Sequence, residues 1–220
     1  LQRLRSTIGH AIASGDKREI LTISAPPTFA TRWLVPRLPS FKAGRPDLEL
    51  YVISRSEPFD LLEEKVDVAI HFGRANWPGT SLSPLCPENL VIVAAPSLDG
   101  ARRDMDLAEV FDLPLLHNAA RAELWRQIYE ANFSTPKALQ SGSYFDQLSL
   151  IISAAVAGMG IAVLPTYLIE KELESGELII LATPKISTSE SYFSARPAGI
   201  RNPLAKSFQD WIRKQVSNPL

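Results

Sequence analysis

One cysteine, Cys86, in 220 residues rules out an internal disulfide, and a reduced, cytoplasmic setting is the expectation. Histidine is equally scarce: His10, His71 and His117 lie too far apart for any standard zinc spacing, so no metal site is expected. No apolar run reaches the roughly 18 residues of a membrane span, and no charged-then-apolar leader opens the chain. A basic excess is missing as well. Lys and Arg number 23 against 24 Asp and Glu, a formal charge of -1, far from that of a domain that grips phosphate backbones by itself. Catalytic signatures are also absent: there is no Gly-x-Ser-x-Gly elbow, phosphate loop, His-Glu-x-x-His or Cys-x-x-Cys. Neither an enzyme nor a cofactor is expected. The only methionines are Met105 and Met159, so the chain reads as a piece of a longer protein.

Hydrophobic residues make up 45%, enough for a sizeable core. Leu1, Leu4, Ile8 and Ile12 recur at helical steps until Ser14-Gly15, the end of an amphipathic helix that connects to a preceding domain or begins the globule. Short β-rich runs then alternate with helical ones. Strands are expected at Ile20–Ser24, Leu48–Ser54 and Val66–Phe72, with helices at Thr28–Phe41 and Glu57–Lys65, which makes a βαβαβ unit around a parallel sheet. Asn76–Pro87 reads as a loop. A second α/β series follows, with strands at Asn89–Ala95, Leu113–His117, Lys137–Ser141, Ile161–Leu164 and Leu178–Ala182. Its helices are Ala122–Asn132, Asp146–Gly158 and Tyr167–Glu174. Ser191–Arg196 reads as a last strand, and Leu204–Val216 as a helix with Leu204, Phe208, Trp211 and Ile212 on one stripe. The fold class is therefore α/β, as two lobes.

Gly158-Met159-Gly160 follows a helix and precedes a strand, so it is a helix stop and a tight turn rather than a dinucleotide loop. The informative stretch is Ile23-Ser24-Ala25-Pro26-Pro27-Thr28-Phe29, where a strand gives way at once to a helix with Thr28 as its expected N-cap. Such a turn offers backbone N–H groups, a hydroxyl and a positive helix end at the carboxyl edge of a parallel sheet, where a small anion fits. His71-Phe72-Gly73, Leu116-His117-Asn118 and Tyr144-Phe145-Asp146 stand at other strand ends, Asp146 also reading as a plain N-cap.

Thr31-Arg32-Trp33-Leu34-Val35-Pro36-Arg37-Leu38-Pro39-Ser40-Phe41 with Arg45-Pro46-Asp47-Leu48-Glu49-Leu50 resembles the effector-domain signature of LysR-type transcriptional regulators. Val66-Asp67-Val68-Ala69-Ile70-His71-Phe72-Gly73 is similar to that family's Asp-Ala-Ile/Arg-Tyr-Gly strand, and Gly158–Pro165 to its Gly-x-Gly-Ile-Ala-x-Leu-Pro turn. The Arg32-Trp33 pair and the Trp77-Pro78-Gly79 loop look most like the subgroup of glycine-cleavage and β-lactamase activators, with His71 where that subgroup often has Arg. The resemblance implies two Rossmann-like lobes of the type 2 periplasmic-binding-protein-like fold, joined by two crossover strands. It puts the end of a linker helix at 1–19, the first lobe at 20–90 and 193–220, and the second at 91–192.

It also implies a small-molecule effector, anionic or amino-acid-like, held between the lobes by Pro27, Thr28, Phe29, His71, Phe72, Gly73, His117, Phe145, Asp146 and Tyr192. The partners it implies are a homodimer or homotetramer and promoter DNA, the latter reached through a winged helix-turn-helix outside this chain. The alternative is a solute-binding protein of a transport system. Charge is also segregated. Residues 1–45 carry a formal +6 and residues 46–70 a formal -5, which suggests the acidic Glu57–Lys65 stretch of one copy lying against the basic C-terminal helix of another.

Overall fold

A computed structural model describes residues 19–139, 141–186 and 190–217, and the expected helix over Leu1–Ile12 lies outside them. These residues form two compact units. Among the described residues, one comprises 19–26, Leu34–Cys86 and 191–217, and the other Pro27–Trp33 and Pro87–Glu190. The assignment of Pro27–Trp33 to the second unit was not visible in the sequence.

The first unit is built on a five-stranded sheet in the order β2-β1-β3-β10-β4. Strands β1 (Glu19–Ala25), β2 (Leu48–Ser54) and β3 (Val68–Gly73) are mutually parallel, as the alternation of strand and helix requires. The late strand β10 (Ser191–Pro197) returns antiparallel to β3. Leu21, Ile23 and Val68 are fully buried, each worth about 1.5–3 kcal/mol of transfer free energy. The closing helix α7 (Pro203–Ser217) packs through Ala205, Phe208 and Ile212, all at 0% exposure, and Phe208 meets Phe41 edge-on at 5.2 Å.

Two expectations fail in this unit. Thr80–Pro87, expected as a loop, is strand β4 at the sheet's edge, where Pro84 and Pro87 cost no interior ladder bond. Glu57–Lys65, expected as a helix, is a series of turns. The Asp60 carboxylate accepts the Leu62 and Glu63 N–H groups at 2.8 and 3.0 Å, and Lys65 sits at φ 55°, which no helix interior tolerates.

In the second unit, β5 (Leu90–Ala94) lies between β8 (Ala162–Pro165) and β9 (Ile179–Ala182), antiparallel to both. A short parallel pair, β6 (Leu116–Asn118) and β7 (Ser143–Phe145), joins this layer through the Leu115–Ile161 bridge. The strand expected at Lys137–Ser141 is corrected to β7. Pairing starts only after Gly142, where a Cβ would lie 1.8 Å from the Leu115 carbonyl oxygen, so only glycine brings the two backbones together.

Helices α1 (Pro27–Phe29), α3 (Leu107–Val110), α4 (Leu124–Asn132), α5 (Leu148–Val156) and α6 (Glu170–Ser175) complete this unit, and α2 (Val35–Lys42) belongs to the first. Phe111 anchors its core, meeting Trp125, Tyr129 and Phe133 edge-on. Among the described residues no helix is long and apolar enough to cross a membrane.

Candidate functional site

Thr28 is the best-placed of the expected residues. It is 4% exposed, and it does not cap its own helix as expected: it lies inside α1. Its hydroxyl oxygen instead accepts the backbone N–H of Ser149 at 3.1 Å, one of the free donors in the first turn of α5. The N-cap of α5 is Gln147, whose side chain makes no capping bond, so Asp146 is not the cap that its position suggested. A threonine 121 residues away supplies the oxygen that the local sequence withholds. A hydroxyl that accepts one bond keeps its own proton to donate.

The neighbours of Thr28 hold this turn in place. Phe29 stacks on Trp33 at 5.0 Å and meets Tyr167 edge-on at 6.3 Å. Arg32 sits on the π-helical turn Ala30–Leu34, donates to the Leu168 carbonyl and pairs with Glu172, whose side chain is only 13% exposed. Pro27, half-buried, opens the segment.

His117 and Phe145 come together across the β6–β7 pair, with His117 opposite Tyr144 and Asn118 opposite Phe145. The His117 imidazole is 7% exposed and stacks on Tyr144 at 4.4 Å and 14°. Neither ring nitrogen has a hydrogen-bond partner among the described residues. Burial pushes its pKa below the ordinary value, because the imidazolium would lose its hydration there. Tyr144, 60% exposed, is the ring that covers it. Asp146 follows β7 directly and is exposed.

His71, Phe72, Gly73 and Tyr192 gather in the first unit on the β3–β10 pair. Tyr192 lies opposite Phe72, with ring centroids 4.9 Å apart. His71 faces Trp77 edge-on at 5.2 Å, and the Trp77 indole N–H donates to the Phe59 carbonyl at 3.0 Å. Gly73, at φ 150°, leaves room for that imidazole: a Cβ would lie 2.8 Å from His71 Nε2.

The ten expected residues thus form two groups. Pro27, Thr28, Phe29, His117, Phe145 and Asp146 are in the second unit, and His71, Phe72, Gly73 and Tyr192 are in the first. Ser149 did not stand out in the sequence, and Tyr144 did so only as part of the Tyr144-Phe145-Asp146 strand end, with Gly142 and Ser143 before it. Among the described residues no group of three or more His, Cys, Asp or Glu side chains gathers as a bound metal ion would need.

Two acids near these elements act structurally. Asp67 accepts the Thr22 N–H at 2.8 Å and the Asn202 side-chain amide at 2.9 Å, and burial raises its pKa against the lowering effect of both bonds. Glu88 is likewise raised by burial, although Arg121 pairs with it at 2.7 Å.

Residues 14–217 match the model of the LysR substrate binding domain. The chain is 34% identical over 207 residues to the AhcY transcriptional activator HvrB of Rhodobacter capsulatus, covering 93% of this chain and 69% of that protein. It is also 34% identical over 196 residues to the glycine cleavage system transcriptional activator of Escherichia coli K12, covering 87% and 63%. Among solved structures, the effector domain of AmpR from Pseudomonas aeruginosa superposes with a TM-score of 0.78 at 26% identity, covering 91% of this chain and 96% of that one. The regulatory domain of CrgA from Neisseria meningitidis shares the fold, with a TM-score of 0.77 at 18% identity over 90% and 99%. Mixed α/β sheets, the three motifs in order and these matches agree: the chain belongs to the LysR family, as its substrate-binding, or effector, domain.

Proposed function

We propose that this chain is the effector-sensing part of a cytoplasmic LysR-type transcriptional regulator, and that it binds a small anionic or amino-acid-like molecule without transforming it. Its named relatives are transcriptional activators, and the chain spans 69% and 63% of the first two, so DNA reading falls to sequence beyond the match. Self-association and promoter DNA are the corresponding partners. A transport solute-binding role is not favoured, because no relative quoted carries it.

The observation that carries the ligand reading is His117. A buried polar group normally finds a partner, and leaving one unmet costs about 1–3 kcal/mol. Here both imidazole nitrogens lack one among the described residues, beneath the exposed Tyr144 ring. A bound effector would supply it. Thr28 would add a hydroxyl donor, since its oxygen already accepts the Ser149 N–H and its proton is left to give.

Calorimetry against amino acids and small carboxylates tests this. The expected result is saturable binding of one class, unchanged on recovery, and a tenfold or greater loss in His117→Phe. Product formation, or full affinity in His117→Phe, overturns it. Thr28→Ser should retain most affinity, since the hydroxyl survives, while Thr28→Ala loses it together with the Ser149 bond.

A further inference from the structure

Resting on the effector site proposed above, we infer that the second unit takes up its ligand as a carboxylate together with one proton, and that His117 holds that proton. The strand that carries this histidine is pinned before and after it. Leu116 donates its N–H to the Ile161 carbonyl at 2.9 Å, and its own carbonyl accepts the Trp125 indole N–H at 2.9 Å. The Asn118 side chain accepts the Ala120 N–H at 3.0 Å. The imidazole is walled in as well: Tyr144 covers one face at 4.4 Å, and a Cβ on Gly142 would lie 3.0 Å from its Cδ2. Both ring nitrogens are buried, and neither meets a partner among the described residues. A ligand reaches them by displacing the Tyr144 ring, which is 60% exposed.

The elements around this ring hold no spare cation for an anion. Strand β6 packs against β7, β8, α4 and α5. Of these, β8 and α5 carry no ionisable side chain. Strand β7 brings Tyr144 and leads into Asp146, an exposed acid. Helix α4 brings Arg126, Tyr129 and Glu130, but Arg126 is exposed and already shared between Glu123 and Glu130, and Tyr129 lies against Phe111. Arg121, on the turn that follows β6, is paired with Glu88 at 2.7 Å. Burial, with no charge beside it to compensate, lowers the His117 pKa, so the ring is neutral at pH 7 in the free protein.

A carboxylate brought to such a ring loses hydration, and an unpaired buried charge is expensive. The positive end of α5 offsets only about half a charge. A proton drawn from solvent supplies the rest. It turns both imidazole nitrogens into donors, and the one that faces the ligand gives a charge-assisted hydrogen bond to a carboxylate oxygen. One negative and one positive charge then enter as a neutral pair. The same pairing raises the His117 pKa in the complex, against the effect of burial. Affinity for a carboxylate therefore climbs as pH falls between the bound and the free pKa, by up to about tenfold per pH unit. An uncharged amide of the same shape gains nothing from the proton.

Calorimetry with acetate, succinate, glycine and glutamate at pH 7.5, in Mops and again in Tris, measures the uptake, because the two buffers release a proton with different heats. A carboxylate that binds saturably should carry in at least about half a proton per molecule and bind at least tenfold more tightly than its amide. Its affinity should rise at least about threefold from pH 8.5 to 7.5. In His117→Gln, which keeps a donor and an acceptor but does not titrate, the uptake should vanish and the pH dependence flatten. Saturable binding with no uptake, or with equal uptake in His117→Gln, overturns the proton-coupled account and leaves the effector site standing. Binding of the amides alone does the same. Binding of neither the acids nor their amides overturns both.

Discussion

Gly73 shows how far one missing side chain can reach. At φ 150° it occupies backbone space that L residues rarely enter, and its absent Cβ is the room that His71 Nε2 fills. Gly73→Ala should therefore cost about 1–3 kcal/mol in urea unfolding, and less when His71→Ala removes the clash, so the pair is non-additive in a double-mutant cycle. His117 makes the corresponding electrostatic case. Burial lowers its folded pKa below the ordinary 6.5, so the unfolded chain binds the proton more readily. Its contribution to stability is complete above pH 6.5 and is lost as pH falls through the folded pKa. Urea titrations at pH 7.5 and 5.5 should show a larger loss in the unmodified chain than in His117→Phe; Asp67 and Glu88, whose pKa values shift upward, are common to both chains and cancel. An equal loss would mean that His117 is not the responsible group. Residues of this kind were visible in the sequence as strand-end candidates, but their pairings were not, because Tyr144 and Trp77 are brought against His117 and His71 by folding rather than by spacing.

At the level of elements, the Val-Asp-Val-Ala motif owes its acid to architecture. Asp67 ties β1, through the Thr22 N–H, to the turn that opens α7, where Asn202 also accepts the Ala205 N–H at 3.0 Å. Asp67→Ala should cost about 2–3 kcal/mol, since Thr22 is 6% exposed and its N–H would be left unmet. Asp67→Asn should fall between, because an amide keeps one acceptor and presents donors where a donor already points. The Arg32–Glu172 pair behaves differently. Removing Arg32 leaves a largely buried carboxylate without its cation, whereas Arg32→Met with Glu172→Met leaves none. The double variant should be closer to the unmodified chain in urea midpoint than Arg32→Met alone; the reverse order would refute the account.

The parallel β1–β3 core, β5, α5 and α7 were all legible from period and length. The misread elements share one cause. β4 carries two prolines that only an edge position excuses, the Glu57–Lys65 stretch has helical composition overruled by the Asp60 turn, and β7 starts where Gly142 permits. In each case a tertiary neighbour decides what local propensity leaves open.

For the molecule as a whole, charge is informative in its distribution rather than in its sum. A formal -1 conceals an acidic turn after β2 and a basic groove along α7, lined by Arg45, Lys206 and Lys214, both in the first unit. Three rim cations beside an aspartate are too few to hold duplex DNA tightly, since each neutralised phosphate adds only a salt-sensitive increment to affinity. The isolated chain should therefore bind a labelled promoter duplex no better than about 10⁻⁴ M near physiological salt, the weak end of sequence-independent binding, with a shallow dependence on salt. Fluorescence anisotropy measured across a salt series distinguishes the alternatives. Flat, weak binding locates sequence reading beyond residues 14–217, in keeping with the part of the relatives that this chain does not span. A submicromolar affinity with a steep salt slope would instead require a continuous phosphate-binding surface on the effector domain itself, more than the three cations of that groove supply.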